Sequence, residues 1–266
     1  MNPNCKKRMG AIRLETMKVV SQKEIAPAIF ELVLQGEMVE AMKAGQFLHL
    51  RVPDDAHLLR RPISISSIDK ANKQCHLIYR IEGSGTAIFS TLKTGDSLDV
   101  MGPQGNGFDL SDLDKQSHVL LVGGGIGVPP LLEVAKQLDE RGVDVTTVLG
   151  FATKDAVILE DELSQYSKVF VTTDDGSYRT QGNVSVVIKE FDNEFDAIYS
   201  CGAPGMMKYI NQTFYDHPRA YLSLESRMAC GMGACYACVL KVPDSETVSQ
   251  RVCEDGPVFK TGTVVL

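Results

Sequence analysis

The chain has 266 residues, of which 44% are hydrophobic and 23% charged. This is ordinary for a globular protein and allows one large domain or about two to three smaller ones. With 27 basic and 34 acidic residues the net charge is −7, which argues against a nucleic-acid partner.

The most apolar run spans residues 119–135 and contains Gly123-Gly-Gly and Pro129-Pro130. It therefore predicts a strand, a turn and a helix rather than a membrane span. Since no secretory signal is visible, we expect a cytoplasmic protein whose thiols stay reduced unless they bind a metal.

The N-terminal half predicts a barrel behind a polar, basic extension at residues 1–15. Residues 16–110 contain short segments rich in β-branched residues, separated by Gly, Pro and Asp. The predicted strands are Lys18–Ile25, Ile29–Leu34, Gln46–Val52, Ile63–Ile68, Cys75–Ile81 and Ser97–Met101, with one helix near Thr86–Leu92. Six strands at this spacing predict a small antiparallel β-barrel.

From residue 117 onward, strands alternate with helices, which predicts a parallel α/β sheet in a domain at residues 111–216. The predicted strands are His118–Gly124, Asp144–Gly150, Lys168–Thr173 and Phe195–Cys201, and the predicted helices are Val128–Arg141, Val184–Phe191 and Pro204–Tyr215. Residues 217–266 form a small C-terminal module with one predicted strand, Ala220–Leu224. The predicted fold class is therefore multidomain, α/β plus all-β.

Four cysteines of this module follow the pattern C-x4-C-x2-C, with the last one after fourteen intervening residues: Cys230, Cys235, Cys238 and Cys253. This is the plant-type spacing of a [2Fe–2S] cluster. Gly231 and Gly233 allow tight turns that bring backbone N–H groups to the sulfurs. A zinc site is the main alternative, although zinc motifs usually come as two matched pairs. A disulfide framework fits less well, because seven cysteines is an odd number and nothing indicates export.

A glycine-rich loop, Gly123-Gly-Gly-Ile-Gly127-Val-Pro-Pro130, lies between a predicted strand and helix. Glycines let a backbone approach a pyrophosphate, and a helix N-terminus favours its charge. Val128 stands where the third glycine of G-x-G-x-x-G would fall, so a tight structural turn is an equal alternative. Three further loops, 150–155, 174–177 and 200–207, lie at C-terminal strand ends, where ligands bind in such sheets.

The barrel segment Arg61-Pro62-Ile63-Ser64 lies after the third predicted strand, and there the chain resembles the ferredoxin–NADP reductase superfamily. The resemblance implies FAD held by Arg61, Pro62, Ile63, Ser64, Ile78, Tyr79, Arg80, Gly85 and Thr86, NAD held by Gly124, Gly125 and Gly127, and Cys201 near the nicotinamide. A guanidinium suits a diphosphate because its planar fork donates two parallel hydrogen bonds. The alternatives are a barrel-core role for Tyr79, a plain strand-to-helix turn at residues 83–86, and a buried strand-end role for Cys201.

The order of barrel, sheet and cysteine module resembles the electron transfer subunits of dihydroorotate dehydrogenase B over about residues 16–266, most specifically at residues 223–238. The resemblance implies a partner, the FMN-containing dihydroorotate dehydrogenase catalytic subunit, in a heterotetramer of two copies of each. Electrons would pass from FMN through [2Fe–2S] and FAD to NAD+ in de novo pyrimidine (UMP) biosynthesis. FAD suits this position because flavins exchange both single electrons and hydride.

Other functions stay open at this point. The architecture also resembles subunits of sulfide dehydrogenase and of ferredoxin-dependent transhydrogenases. A freestanding NAD(P)H-oxidising reductase is a further alternative, and a zinc-stapled binding module on a degenerate reductase scaffold is another. The sequence does not separate NAD from NADP.

Overall fold

The computed structural model describes residues 12–192 and 194–266. Most of the predicted N-terminal extension, including Cys5, therefore lies outside the described residues. Within them, none of the helices combines the length and the apolar character needed to cross a bilayer.

A closed antiparallel barrel forms the first part, as predicted. Its strands are β1 (Arg13–Ala26), β2 (Ile29–Gln35), β3 (Phe47–Leu50), β4 (Arg61–Asp69), β5 (Gln74–Arg80) and β6 (Ser97–Gln104), and helix α1 (Ser84–Phe89) follows β5. They close in the order β1-β2-β5-β4-β3-β6. Side chains that alternate along the strands, such as Leu32, Leu34 and Leu77, point inward and fill the core with no exposed surface.

The first strand starts earlier than predicted. β1 begins at Arg13, so residues 13–15 belong to the barrel and not to the extension. Glu15 shows why, since its carboxylate accepts the backbone N–H groups of Glu37 and Met38 at 2.6 and 2.8 Å. These bonds satisfy the free N–H groups at the start of a short 3-10 helix, Glu37–Ala41.

The second part is a sheet flanked by helices. Its strands are β7 (His118–Gly124), β8 (Asp144–Phe151), β9 (Lys168–Thr173), β10 (Thr180–Gln181), β11 (Ala197–Cys201) and β12 (Ala220–Ser223), and its helices are α2 (Pro129–Asp139), α3 (Glu160–Leu163), α4 (Ser185–Ile188) and α5 (Pro204–Thr213). All neighbours among these strands are parallel, in the order β10-β9-β8-β7-β11-β12. Residues 119–122 of β7 are completely buried, as expected for a strand covered on both faces.

The C-terminal module contains a two-stranded ribbon, β13 (Val239–Lys241) with β14 (Ser249–Arg251), and a last strand, β15 (Val258–Lys260). β15 pairs antiparallel with β12 and becomes the seventh strand of the sheet. The predicted boundary between residues 216 and 217 therefore separates two strands, β12 and β15, from the sheet they belong to. A strand that follows the cysteines was not recognisable, because its partner lies about forty residues earlier in the chain.

Asn106 connects the barrel to this module. Its side-chain amide donates to the carbonyls of Asp255 and Val258 at 3.1 and 2.9 Å, and its carbonyl oxygen accepts the N–H of Val258 at 3.2 Å. Next to it, Gly105 has a φ of +84°, and a Cβ there would lie 2.3 Å from Pro257. Residues 105 and 106, directly after β6, therefore fix the C-terminal module against the barrel.

Candidate cofactor and cluster sites

A cavity of about 600 Å³ lies where the barrel meets the C-terminal module. All residues predicted to bind FAD line this cavity. Its opposite wall is formed by residues 223–228 and Pro257, which the sequence did not assign to a flavin site. The β12 strand carries this segment to the barrel, so only the tertiary structure reveals it.

The two neighbouring arginines of the barrel have different environments. Arg60 forms two hydrogen bonds with the carboxylate of Asp99, at 2.9 and 3.0 Å. Arg61 donates to the carbonyl of Leu59 at 2.5 Å and forms no ion pair with a described carboxylate. Arg61 also lines the cavity, whereas Arg60 does not. Of these two arginines, Arg61 is therefore the one that remains available to an anionic ligand.

Tyr79 and Thr86 are already engaged within the protein. The ring of Tyr79 lies in the barrel core, stacked on Phe30 at 6.0 Å, and its hydroxyl accepts a 2.7 Å hydrogen bond from Gln22. Burial raises the pKa of Tyr79 to about 12. The hydroxyl of Thr86 accepts the backbone N–H of Gly83 at 3.2 Å. These bonds favour structural roles for both side chains, although both residues also line the cavity.

A second cavity, of about 910 Å³, lies over the C-terminal ends of the sheet strands, and Gly124, Gly125 and Gly127 line it. A Cβ on Gly127 would lie 2.6 Å from the carbonyl of Cys201, so the loop rests directly on the end of β11. Val128, at the position of the missing third glycine, is fully buried and packs against Gly123. The side chain that replaces the third glycine of G-x-G-x-x-G thus packs in the core. The glycine that lets the loop approach the end of β11 closely is Gly127.

The loop that follows β11 lies in this cavity, but Cys201 does not line it. Residues 202–207 form part of the wall, with Met206 placed over Gly124 and Gly202. Cys201 is only 2% exposed, and burial raises the pKa of its thiol. Its environment is that of a buried strand-end cysteine, and a role near the nicotinamide stays a prediction.

One end of the second cavity is acidic. Asp174, at the end of β9, lines it and has no ion-pair partner among the described side chains. The nearby cations are held outside the lining, where Lys154 and Arg179 lie 5.7 and 5.0 Å from the ring centre of Tyr178. Arg179 is also paired with Glu160 at 3.0 Å.

The two cavities share part of their walls. The residues that line both are Arg80, Glu82, Ile126, Leu224 and Glu225. The side chain of Glu225 is open to the cavities but surrounded by protein on its other sides, and this burial raises its pKa; the neighbouring charge of Glu82 adds to the effect and Arg80 opposes it. Two ligands bound in these cavities would therefore meet at this shared wall.

The four predicted cluster ligands lie in and beside one loop. The sulfurs of Cys238 and Cys253 are 3.3 Å apart, and Cys253 also accepts the N–H of Gly233 at 3.2 Å. Cys230 accepts the N–H groups of Met232 and Cys235, both at 3.4 Å. Burial opposes ionisation of Cys230. The backbone N–H groups of Met232, Cys235 and Ala234, together with the Cys235 side chain, outweigh it and lower the pKa of Cys230 to about 7.

This donor set fits an iron–sulfur cluster. The sulfurs show a close pair and several backbone N–H donors, and such donors stabilise thiolates that carry a cluster. Gly231 and Gly233 have φ values of +66° and +79°, which side-chain-bearing residues rarely adopt.

The loop is packed against the barrel at Gly231. A Cβ on Gly231 would lie 2.3 Å from Nδ1 of His49, which is a fully buried residue of β3. Burial, with a smaller contribution from the charge of Arg60, lowers the pKa of His49 to about 4, so the imidazole is neutral at pH 7. The cysteine loop therefore packs on a neutral imidazole of β3. Phe47, at the start of the same strand, lines the first cavity.

Three family profiles match the chain. The profile described as an oxidoreductase FAD-binding domain matches residues 12–108, and that of an oxidoreductase NAD-binding domain matches residues 121–212. The third, the iron-sulfur cluster binding domain of dihydroorotate dehydrogenase B, matches residues 225–265.

Curated relatives match nearly the whole chain. The dihydroorotate dehydrogenase B (NAD(+)), electron transfer subunit of Streptococcus pneumoniae is 87% identical over 255 residues, which is 96% of this chain and 100% of the relative. The corresponding subunit of Enterococcus faecalis is 48% identical and covers 95% of this chain and 98% of its own.

Solved structures show the same architecture. A structure of the NADH-dependent reduced ferredoxin-NADP oxidoreductase, studied for flavin-based electron bifurcation, superposes with a TM-score of 0.83 at 30% identity, over 94% of this chain and 90% of the other. A ferredoxin NADP+ reductase from Neisseria gonorrhoeae, with a TM-score of 0.63 at 18% identity, shares the fold.

Proposed function

The chain belongs to the family of dihydroorotate dehydrogenase B electron transfer subunits, and on this premise we propose which of its residues hold each redox group. It is an oxidoreductase subunit with FAD-binding, NAD-binding and iron–sulfur cluster-binding domains, and it transfers electrons for a catalytic subunit. The finer proposal is a heterotetramer in which two copies serve two FMN-containing catalytic subunits. A cytoplasmic location is part of the proposal, because every described cysteine is a free thiol.

We assign FAD to the cavity between the barrel and the C-terminal module, with Arg61 at its diphosphate and residues 62–64 beside its ring system. NAD is assigned to the cavity over the sheet, with its pyrophosphate at Gly124, Gly125 and Gly127. Cys230, Cys235, Cys238 and Cys253 hold the cluster. When bound, the flavin exchanges single electrons with the cluster and hydride with the nicotinamide. The observation that carries this proposal is the wall shared by the two cavities, together with Met228, which lines the FAD cavity two residues before Cys230.

The residues of the shared wall would bring the two rings into contact and keep water out. Ile126 and Leu224 supply apolar surface from the two sides of the junction. Arg80 is held by the carboxylate of Glu82, since its Nε donates to that carboxylate at 3.0 Å. A charge pair and two aliphatic side chains thus form the wall against which both ligands would be oriented.

The whole assignment is tested with the native complex. Pulling down the chain is expected to bring an FMN-containing subunit with it, and dihydroorotate should then drive NADH formation. Omitting the partner should abolish that activity while NADH still reduces the bound FAD. A chain that purifies alone and passes electrons from NADH to another acceptor protein would instead be a freestanding reductase.

The acidic end of the second cavity supports a preference for NAD+ over NADP+. A carboxylate at Asp174 accepts hydrogen bonds from the ribose hydroxyls but repels a 2′-phosphate, and Tyr178 keeps the neighbouring cations away from it. We expect Asp174→Ser to weaken NAD+ binding and to improve NADP+ binding by about tenfold. Equilibrium binding of the two nucleotides checks this. Asp155→Asn, which removes a nearby charge outside the lining, is the control and should change neither affinity.

A further inference from the structure

Asp54, His57 and Ser84 form a hydrogen-bonded chain at the edge of the FAD cavity. Nδ1 of His57 lies 2.9 and 2.8 Å from the two carboxylate oxygens of Asp54, and Nε2 lies 2.7 Å from the hydroxyl oxygen of Ser84. Asp54 and His57 belong to the loop between β3 and β4, whereas Ser84 is the first residue of α1. This hydrogen-bonded network therefore connects the β3–β4 loop to α1, through two residues, His57 and Ser84, that are 27 positions apart in sequence.

Asp54, at one end of this hydrogen-bonded network, is firmly held. Asp54 also accepts the backbone N–H groups of Ala56 and His57, at 2.7 and 2.9 Å. The hydrogen bond from His57 is the largest cause that lowers the pKa of Asp54, so this carboxylate stays ionised. An ionised carboxylate on Nδ1 fixes the imidazole ring and aims Nε2 at Ser84.

The Ser84 end of this hydrogen-bonded network lies next to Arg61, whose guanidinium is available to an anion. Ser84, Gly85 and Arg61 all line the FAD cavity. A Cβ on Gly85 would lie 2.8 Å from Nε of Arg61, so the Arg61 side chain crosses directly over the residue that follows Ser84. A hydroxyl donor and a guanidinium fork thus border the same part of the cavity. Phosphate oxygens are the acceptors that such a pair of donors suits.

We propose that Ser84, oriented by His57 and Asp54, is a second contact to the diphosphate of FAD, beside Arg61. This inference rests on the proposed placement of FAD in this cavity. The proposed arrangement has a proton on both ring nitrogens of His57: Nδ1–H donates to Asp54 and Nε2–H donates to the Ser84 oxygen. The single hydroxyl proton of Ser84 is then left to donate to a phosphate oxygen. Ser84 contacts the cofactor, while His57 and Asp54 are positioning residues.

The same three residue types form the triad of serine hydrolases, where the histidine accepts the serine proton. In the arrangement proposed for this chain the proton runs the other way, and Ser84 is a hydrogen-bond donor and not a nucleophile. A fluorophosphonate probe separates the two chemistries, because it labels an activated serine covalently. Labelling of Ser84 would overturn the proposal, and its absence is the expected result.

The main test is the affinity of the full-length chain, stripped of flavin and titrated with either FAD or riboflavin. Ser84→Ala should raise the FAD dissociation constant by about tenfold, the effect of one hydrogen bond to a charged group, and should leave riboflavin binding unchanged because riboflavin has no phosphate. His57→Ala should also weaken FAD binding, and His57→Gln, which restores a donor near the position of Nε2, should recover most of it. The double variant should lose no more than Ser84→Ala alone, since both changes remove one interaction.

Ser90→Ala is the matched control, because Ser90 lies just after the other end of α1 and donates only to the carbonyl of Ala87 at 2.8 Å. It should bind both flavins as the unmodified chain does. Unchanged FAD affinity in Ser84→Ala, or an equal loss of FAD and riboflavin binding, would overturn the inference. Should the unmodified chain bind neither flavin, the placement of FAD itself would be wrong, so the two failures are distinguishable.

Discussion

Replacing Cys235 by serine is expected to remove the iron–sulfur signal while leaving reduction of bound FAD by NADH intact. Cys235 is exposed and lines neither cavity, so its loss should not disturb the flavin or nucleotide sites. Dihydroorotate-dependent NADH formation by the complex should fall by about a hundredfold or more, because even the loss of a residue that only hydrogen-bonds a metal ligand lowers activity by up to that factor. Low-temperature electron paramagnetic resonance of the reduced protein measures the cluster, and stopped-flow flavin bleaching measures the reduction of FAD by NADH.

Cys75→Ala is the matched control for this variant. Cys75 is fully buried in the barrel core, and burial raises the pKa of its thiol to about 12, so it is not a thiolate at neutral pH. Its replacement should keep the iron content and the cluster signal, at some cost in stability from the small cavity it leaves. A folded Cys235→Ser protein that loses both the cluster signal and flavin reduction would show that the two functions are not carried by separate parts of the chain.

The elements that were predicted well are those whose pattern is local. Strand Lys168–Thr173 was predicted with its observed ends, and β7 was recognisable because a strand buried on both faces is a continuous apolar run. The elements that were missed depend on distant partners. β15 becomes a strand because β12 offers it a free edge, and Asn106 acquires its role from carbonyls about 150 residues away.

The functional sites also divide into parts with a local sequence pattern, which were predicted, and parts that depend on distant partners, which were not. The cysteine pattern carries its chemistry in a short stretch, so its spacing alone indicated an iron–sulfur cluster. Flavin binding was implied by the resemblance of the Arg-Pro-x-Ser segment and its surroundings to a known superfamily. The pairing of Arg60 with Asp99, which leaves Arg61 available, depends on a contact 39 residues apart. No sequence motif surrounds His57, because its partners, Asp54 and Ser84, come together only when α1 is folded against the β3–β4 loop. Contacts that join elements carry no periodic signal, so the sequence did not predict them.

Arg61→Ala is expected to weaken FAD binding by about a hundredfold, which is about 3 kcal/mol and corresponds to the loss of charged hydrogen bonds to a diphosphate. The purified variant should therefore be largely free of flavin after gel filtration, while its cluster content stays normal. Absorbance at the flavin and cluster bands, with released FAD quantified after denaturation, measures both. Arg61→Lys should give an intermediate loss, because it keeps the charge but not the planar fork.

Arg60→Ala tests whether the effect belongs to this one guanidinium. Arg60 donates to Asp99 and to the backbone carbonyl of His49. Its loss should therefore mainly lower the melting temperature and have little effect on the affinity for FAD. If Arg61→Ala retained a full complement of FAD and Arg60→Ala lost it, the two arginines would have exchanged the roles assigned to them. The contrast is informative because the two side chains carry the same charge on adjacent residues. Only their partners differ, one bound to a carboxylate of the barrel and the other open to the cavity.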